Sequence, residues 1–420
     1  MHQRTVLSLI SLPLVALYSW PVVVQNLGAS RDLRVAARQE AKPSAQDPLA
    51  GLADIQDVLG IVRDNYVDRP DMEKVVQGGL LATLERAHPL NAYLSPEDLR
   101  LPDPGPGETG LKVLKRGIYA QVVAVRPGSP AAEAGFQTGD VIRRINGESL
   151  KDQSAWALER SLRGPVGSEV GLLRYASGAT TSTLVKLHYA LPAAAAVSVH
   201  REEKAVLVGL PDLAPGRAAE LRAALAGLDP KQTLVLDLRA CMGGDLAEAA
   251  KAAGCFAAAP ATLATVQEAG GKEGDVKETA VPVAPAGLPA FAKAVVLAGP
   301  GTWGAPEALA SALKKLGLAV YGERTAALGV ERSRILLRQG GAVELVTRRW
   351  VGAGGEKLDR AGVEPTVALR GLKATEDPLP KLLPLLEARP DPKAGDRPAS
   401  KTASLLRPAS LRLATAGEVA

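Results

Sequence analysis

The chain is 420 residues long, 46% hydrophobic but only 3% aromatic, with a formal net charge of +5. That length predicts two or three domains with sizeable cores of alanine, leucine and valine, and the small, interspersed charge excludes a nucleic-acid partner. The two cysteines, Cys241 and Cys255, do not make a disulfide framework; a predicted helix between them holds them roughly 20 Å apart, too far for a bridge. His2, His88, His188 and His200 show no metal-ligand spacing with each other or with the cysteines, so neither a metal nor a cofactor is expected.

Residues 6–24 form a mostly apolar run preceded by Arg4. Its length lies between a signal-peptide core and a spanning helix. It predicts export to the periplasm or another extracytoplasmic space and leaves a cleaved signal or a membrane anchor open for residues 1–30. Arg31, Arg34 and Arg38 after the run oppose the positive-inside rule for an anchor with its N-terminus inside. Residues 31–50 read as a linker. Leu52, Ile55, Val58, Leu59 and Val62 have helical spacing, and a second helix is expected over residues 72–87. These make a helical N-terminal segment over 51–101, read as a hairpin with no chemistry.

Residues 102–107 are a Pro/Gly hinge before a domain over 108–190. There Pro130 fits the first turn of a short helix that Gly135 ends, and Asn146-Gly147 is a hairpin signal. Over residues 191–372, strands at 206–210 and 234–238 alternate with helices at 217–228 and 246–256. That alternation argues for an α/β layer with parallel pairing. Residues 264–285 are polar and Gly-rich and read as a loop over the site, and residues 342–350 read as a strand. Over residues 373–420, a last apolar element at 377–386 precedes a tail carrying Arg389, Lys393, Arg397, Lys401, Arg407 and Arg412, the composition of a disordered segment. The fold class is α/β, as a mixed α+β multidomain chain.

Three runs carry the functional reading. Leu234-Val-Leu-Asp-Leu-Arg-Ala-Cys-Met-Gly-Gly244 is a strand ending in a Gly pair. Ala294-Val-Val-Leu-Ala-Gly-Pro-Gly-Thr-Trp-Gly-Ala-Pro-Glu-Ala-Leu-Ala-Ser-Ala-Leu313 is an apolar strand, a Gly-rich turn and an amphipathic helix. Tyr321-Gly-Glu-Arg-Thr-Ala-Ala-Leu-Gly329 follows as strand and turn. With Gly362-Val-Glu-Pro-Thr366, these resemble the C-terminal processing peptidases (tail-specific proteases). Gly110-Leu111-Lys112-Val113, the run from Gly128 to Gly135, Gly139-Asp-Val-Ile142 and Leu162-Arg-Gly164 resemble a PDZ domain, here a PDZ-like β-sandwich or barrel. The resemblance covers roughly residues 55–369.

It implies a peptidase core with a Ser/Lys dyad, the serine three residues before the glutamate that opens the helix. That glutamate is Glu307, so the serine position is Gly304. The family's lysine lies in a Gly-Glu-x-Thr-x-Gly-Lys-Gly run, which places Leu328 at the lysine position. Nucleophilic hydrolysis needs an attacking oxygen, a base and oxyanion donors; Gly304 and Leu328 offer neither of the first two. Gly243 and Gly244 keep the Gly pair of the family's oxyanion turn. Thr302, Ser311 and Cys241 have no base visible in sequence, although a thiol before a helix can have a lowered pKa.

A PDZ domain binds an extended chain end by adding it to a sheet edge, while backbone N–H groups hold its carboxylate. By resemblance that loop is Thr109, Gly110, Leu111, Lys112 and Val113, with Lys112 at the second Gly of the family's Gly-Leu-Gly and adding charge attraction. The expected function is an exported, catalytically inactive homologue that binds protein C-termini or unfolded segments as adaptor or scaffold. The alternatives are an active endopeptidase with another nucleophile, or a structural envelope assembly protein. The sequence does not specify the oligomeric state.

Overall fold

A computed structural model describes residues 51–192, 196–271, 274–374 and 376–388. The apolar run at 6–24, the linker and the basic tail lie outside these residues. Among the described residues no helix is long and apolar enough to cross a membrane. The chain divides at Met72–Glu73 into two units. In the first, α1 (Leu52–Asn65) presents Leu52, Ile55, Val58 and Ile61 to solvent along one face.

The second unit opens with α2 (Met72–Ala87) and β1 (Ala92–Leu94). The helical reading of 51–101 is therefore corrected beyond Ala87: residues 92–94 join a sheet, because Ala92 and Leu94 pair with Glu344 and Ala342 and bury their side chains there.

The PDZ-like domain contains β2 (Gly107–Glu108), β3 (Leu111–Arg116), β4 (Tyr119–Val125), α3 (Pro130–Glu133), β5 (Val141–Ile145), β6 (Glu148–Ser149), α4 (Ala155–Ser161), β7 (Arg163–Gly164), β8 (Glu169–Tyr175) and β9 (Ser182–His188). Its main sheet runs β3-β4-β5-β8-β9, so β3 is an edge strand. Local chemistry sets the turns. The Ser129 and Ser154 hydroxyls cap α3 and α4 by accepting from Ala132 and Ala157 N–H. Asn146 and Gly147 both take positive φ, 51° and 83°, as a primed hairpin turn requires. Leu111, Val113, Val122, Ile142, Leu158, Val170 and Leu172 fill the interior.

The peptidase-like core follows: β10 (Ser198–Arg201), β11 (Ala205–Gly209), α5 (Arg217–Ala226), β12 (Thr233–Asp237), α6 (Leu246–Gly254), β13 (Ala261–Ala269), β14 (Val276–Val283), β15 (Lys293–Ala298), α7 (Ala305–Lys315), β16 (Ala319–Gly322), β17 (Val330–Leu336), β18 (Ala342–Gly352), β19 (Val367–Ala368) and α8 (Leu379–Ala388). The central sheet runs β10-β11-β12-β15-β16-β19, parallel from β11 onward. Leu234, Leu236 and Val296 pack with Leu221, Leu225, Ala252 and Leu309 on one face, while Val235, Val295 and Leu297 pack with Leu379, Leu382 and Leu386 on the other. A sheet covered on both faces needs unbroken apolar strands, which is why β12 and β15 read as continuous runs.

A second sheet, β1-β18-β13-β14 with β17 on the other side of β18, packs against α7. Here the loop expected at 264–285 is corrected: β13 and β14 form an antiparallel ribbon, with Thr265 opposite Ala280 and Val266 opposite Thr279. The polar composition belongs to its exposed side, and the glycines Gly271 and Gly274, at φ 89° and 80°, belong to its turn.

Candidate functional site

The parallel strands β12 and β15 end at Asp237 and Ala298. Ligand sites of open α/β sheets lie beyond such carboxyl ends. After β15 the chain runs Gly299-Pro300-Gly301-Thr302-Trp303-Gly304 into α7. This turn is tied down on several sides. The Thr302 hydroxyl donates to Leu238 O at 2.7 Å and accepts from Gly299 N–H at 3.0 Å. Trp303 N–H donates to Cys241 O at 3.2 Å, and Trp303 O accepts from Gly243 N–H at 2.9 Å. Gly304, at the helix N-cap, has φ 76° and ψ −127°, a conformation L side chains rarely adopt.

Glu307 holds the site together. It lies in the first turn of α7, where acidic side chains complement free N–H groups, and it is wholly buried. Its Oε1 accepts from Gly304 N–H at 3.1 Å and from Leu328 N–H at 2.9 Å. Its Oε2 accepts from Ala327 N–H at 2.8 Å and from the Thr325 hydroxyl at 2.5 Å. Burial pushes its pKa up to about 7, against four donated bonds that pull it down. The carboxyl thus brings the loop at 325–328 to the start of α7, so the structure places Gly304 and Leu328 side by side in one site.

Leu328 is buried with Leu90 and Leu114, and Val123, Trp303 and Val346 pack around them. The lysine position is filled by apolar side chains from three segments. The preceding Ala327 sits at φ 61°, the left-handed region, at the position where the family's run has glycine.

The other expected residues fall as follows. Gly243 and Gly244 lie beside Gly304: a Cβ added at 304 would have Gly243 Cα as its nearest neighbour, at 3.7 Å. The Gly243 N–H is taken by Trp303 O, and Gly243 O accepts from Leu213 N–H at 3.1 Å. Cys241 is fully buried and burial pushes its thiol well above the usual range, so its place before a helix does not make it a thiolate. Ser311 donates to Glu356 Oε2 at 2.8 Å inside α7. The Thr302 hydroxyl is spent on a main-chain carbonyl and Cys241 is buried as a thiol; Ser311 does face a carboxylate, but both lie away from the turn, with Ser311 wholly buried seven residues along the helix from Gly304.

Above Trp303 opens a cleft of about 510 Å³ between β3 and α4, walled also by Trp303, Arg332 and Arg334 of the core. Of the five peptide-loop residues, Leu111, Lys112 and Val113 line it. Thr109 and Gly110 are corrected to a supporting place behind it. Thr109 is wholly buried, its N–H donating to Leu162 O and its carbonyl accepting from Ala131 N–H. Gly110 has φ 81°, and a Cβ there would meet Ser129 Cβ at 2.1 Å. Lys112 extends over the Trp303 ring, Nζ 5.2 Å from its centroid. Nη2 of Arg332 in β17 donates to both carboxylate oxygens of Glu159 in α4, at 2.9 and 3.1 Å.

Sequence reasoning used Glu307 only to fix a register, and missed it as the site's organiser. Its place three residues after a helix-opening position is the signal that would have found it. Trp303, Glu159 and Arg332 were also missed; Glu159 and Arg332 are 173 residues apart, and no local pattern links them.

Fold and site together define a PDZ-bearing α/β chain with a serine-peptidase-type site. Residues 204–369 match peptidase family S41, and residues 121–173 match the PDZ domain. The carboxy-terminal-processing protease of Bartonella bacilliformis is 26% identical over 369 residues, 85% of this chain and 82% of that protein. The carboxy-terminal processing protease CtpA of Bacillus subtilis is 26% identical over 348 residues, 80% of this chain and 71% of that one. A probable CtpA-like serine protease of Staphylococcus aureus is 25% identical over 331 residues, 76% of this chain and 65% of that one. Among solved structures, a photosystem II D1 C-terminal processing protease shares the fold with a TM-score of 0.60 at 24% identity, covering 74% of this chain and 85% of that chain. Residues 204–369 thus carry a peptidase family S41 core and residues 121–173 a PDZ domain, and the chain is similar to carboxy-terminal processing proteases over most of its length.

Proposed function

We propose that this chain binds protein C-termini or unfolded segments without cutting them, as an exported adaptor or scaffold. One observation carries the reading: Glu307 brings positions 304 and 328 together, and they hold glycine and leucine. A peptide carbonyl brought to that turn finds no attacking oxygen and no proton acceptor. Losing a member of such a dyad leaves only the residual acceleration that oxyanion donors and binding supply. The Thr302 hydroxyl committed to Leu238 O, the complete burial of Ser311 inside the helix and the raised thiol of Cys241 support the same reading over a substitute nucleophile.

Binding is supported by the cleft. β3 is a sheet edge with α4 across from it, the arrangement in which an extended segment adds as a further strand. Export rests on residues 6–24.

The test is incubation of the purified chain with an unstructured protein, together with titration by labelled peptides. No cleavage at enzyme-to-substrate ratios where an active relative digests completely, with saturable peptide binding, is the expected outcome. Cleavage that survives purification controls and disappears in a Thr302→Ala/Cys241→Ala variant overturns the inactive reading. Recovery of the native chain wholly in the cytosol overturns export.

A further inference from the structure

We propose that Lys112 is the residue that reads the free carboxylate of a bound chain end, and that Trp303 of the core holds it in place, so that the former nucleophile turn now serves recognition. The inference rests on the chain-end reading above and adds to it the group that selects the ligand.

The charges of the cleft are largely spoken for. Arg332 pairs with Glu159 and with Glu344. Arg334 pairs with Glu344, Arg163 with Asp103, and Arg126 with Glu108 at 2.7 Å. Arg160 donates to Pro102 O and lies over the Trp156 ring. Lys112 differs from these: the contact it makes through Nζ is with the face of the Trp303 indole. A cation over an indole face is attracted by about 0.5–2 kcal/mol. That is enough to fix where the ammonium points, and it leaves the three N–H donors free of any acceptor oxygen.

The surroundings favour an incoming anion. Burial lowers the pKa of Lys112; Glu159 and Glu108 act to raise it, and Arg126 and Arg332 act to lower it. Both glutamates are engaged by those arginines, Glu108 by Arg126 and Glu159 by Arg332, and neither makes a hydrogen bond to the ammonium. A carboxylate arriving beside it would form a charge-assisted hydrogen bond, stronger than a neutral one, in a site shielded from much of the water. Position matters as well. Lys112 follows Gly110, whose positive φ turns the chain into β3, and it stands at the end of the edge strand, where a β-added segment would terminate. All three line the cleft, but Leu111 and Val113 belong to the domain core, so Lys112 is the polar side chain this trio offers to it. Trp303 precedes Gly304. An aromatic side chain on the nucleophile turn therefore carries the carboxylate reader on the other domain.

The probe is a fluorescein-labelled ten-residue peptide ending in Val-Ala, made as the free acid and as the C-terminal amide, with binding to the full chain followed by anisotropy. The acid is expected to bind the unaltered chain at least about tenfold tighter than the amide, a difference of about 1.4 kcal/mol. Lys112→Met is expected to bring the two within about twofold, chiefly by weakening the acid. Lys112→Arg keeps the preference for the acid, and Trp303→Leu reduces it. A preference for the acid that survives Lys112→Met overturns the role of Lys112 and leaves chain-end binding standing. Equal binding of acid and amide by the unaltered chain, or no binding, overturns the chain-end reading and this inference with it. Loss of both acid and amide binding in Lys112→Met and Lys112→Arg alike overturns the inference, since the residue then shapes the groove.

Discussion

Gly304 and Leu328 donate their main-chain N–H groups to one and the same oxygen, Oε1 of Glu307, at 3.1 and 2.9 Å. The relation between the two positions is set by backbone and by a buried carboxyl. Neither side chain takes part in it. The spatial relation between positions 304 and 328 is therefore independent of which side chains stand there.

Glu307 makes stability depend on pH in a direction opposite to that of an ordinary ion-paired carboxylate. Its pKa is raised from 4.5 to about 7 in the folded chain. The folded state therefore retains a proton that the unfolded chain has released. The contribution is fully present below about pH 4.5 and is lost as pH rises through 7, by about 3 kcal/mol in total. Chemical denaturation of the unaltered chain and of Glu307→Gln between pH 4.5 and 8 reads this. The difference in unfolding free energy is expected to fall across that window, and a flat difference counts against the raised pKa.

Ala327→Gly is expected to stabilise the chain by about 0.5–1 kcal/mol. A left-handed alanine costs about 1–2 kcal/mol, and glycine gives part of that back through its own greater freedom in the unfolded chain. The position has φ 61° and its N–H is fixed by Glu307 Oε2. A lower denaturation midpoint in the variant would contradict the strain.

Restoring the two side chains together is expected to restore hydrolysis. At Gly304 a Cβ finds room, with its nearest neighbour at 3.7 Å, so Gly304→Ser costs about 1–2 kcal/mol of backbone strain and by itself gives no base. Leu328→Lys places the amine among Leu90 and Leu114, where burial lowers its pKa toward the neutral form a base needs. The double variant should digest an unfolded protein and react with a fluorophosphonate at the introduced serine. Digestion no faster than that of Gly304→Ser alone would mean the lysine position is not within reach.

Cys241 should resist alkylation in the native chain and react only on unfolding. The thiol is fully buried and its pKa is raised well above the usual range, so both access and thiolate are lacking. Cys255, mostly buried and pushed up to about 11, should react slowly. Native-state labelling of Cys241 as fast as that of free cysteine would sink the assignment of this residue as structural.

The parts legible in the sequence were those whose signal is local. β12 and β15 announced themselves as unbroken apolar runs because both of their faces are covered, and Asn146-Gly147 announced a turn that demands positive φ at both residues. Gly304 and Leu328 were found through motif spacing, since Glu307 and Thr325 keep their places in the two runs. Residues 264–285 were misread because a ribbon with one exposed side has the composition of a loop. The cleft was only half legible. Its β3 wall follows from the Gly110-Leu111 run, but its floor and far wall come from Trp303 and Arg332, which reach it only through the packing of one domain on another.

The leucine slot also governs the order in which changes can be undone. Serine returned to position 304 meets no proton acceptor and brings only strain. Lysine returned to position 328 without that serine puts an amine between Leu90 and Leu114 and brings no reaction. Each single step back is a loss, and a gain appears only when both are taken at once. The packing around Leu328 thus ties the two positions together: a change at either one is felt as strain or as a buried polar group unless the other changes with it.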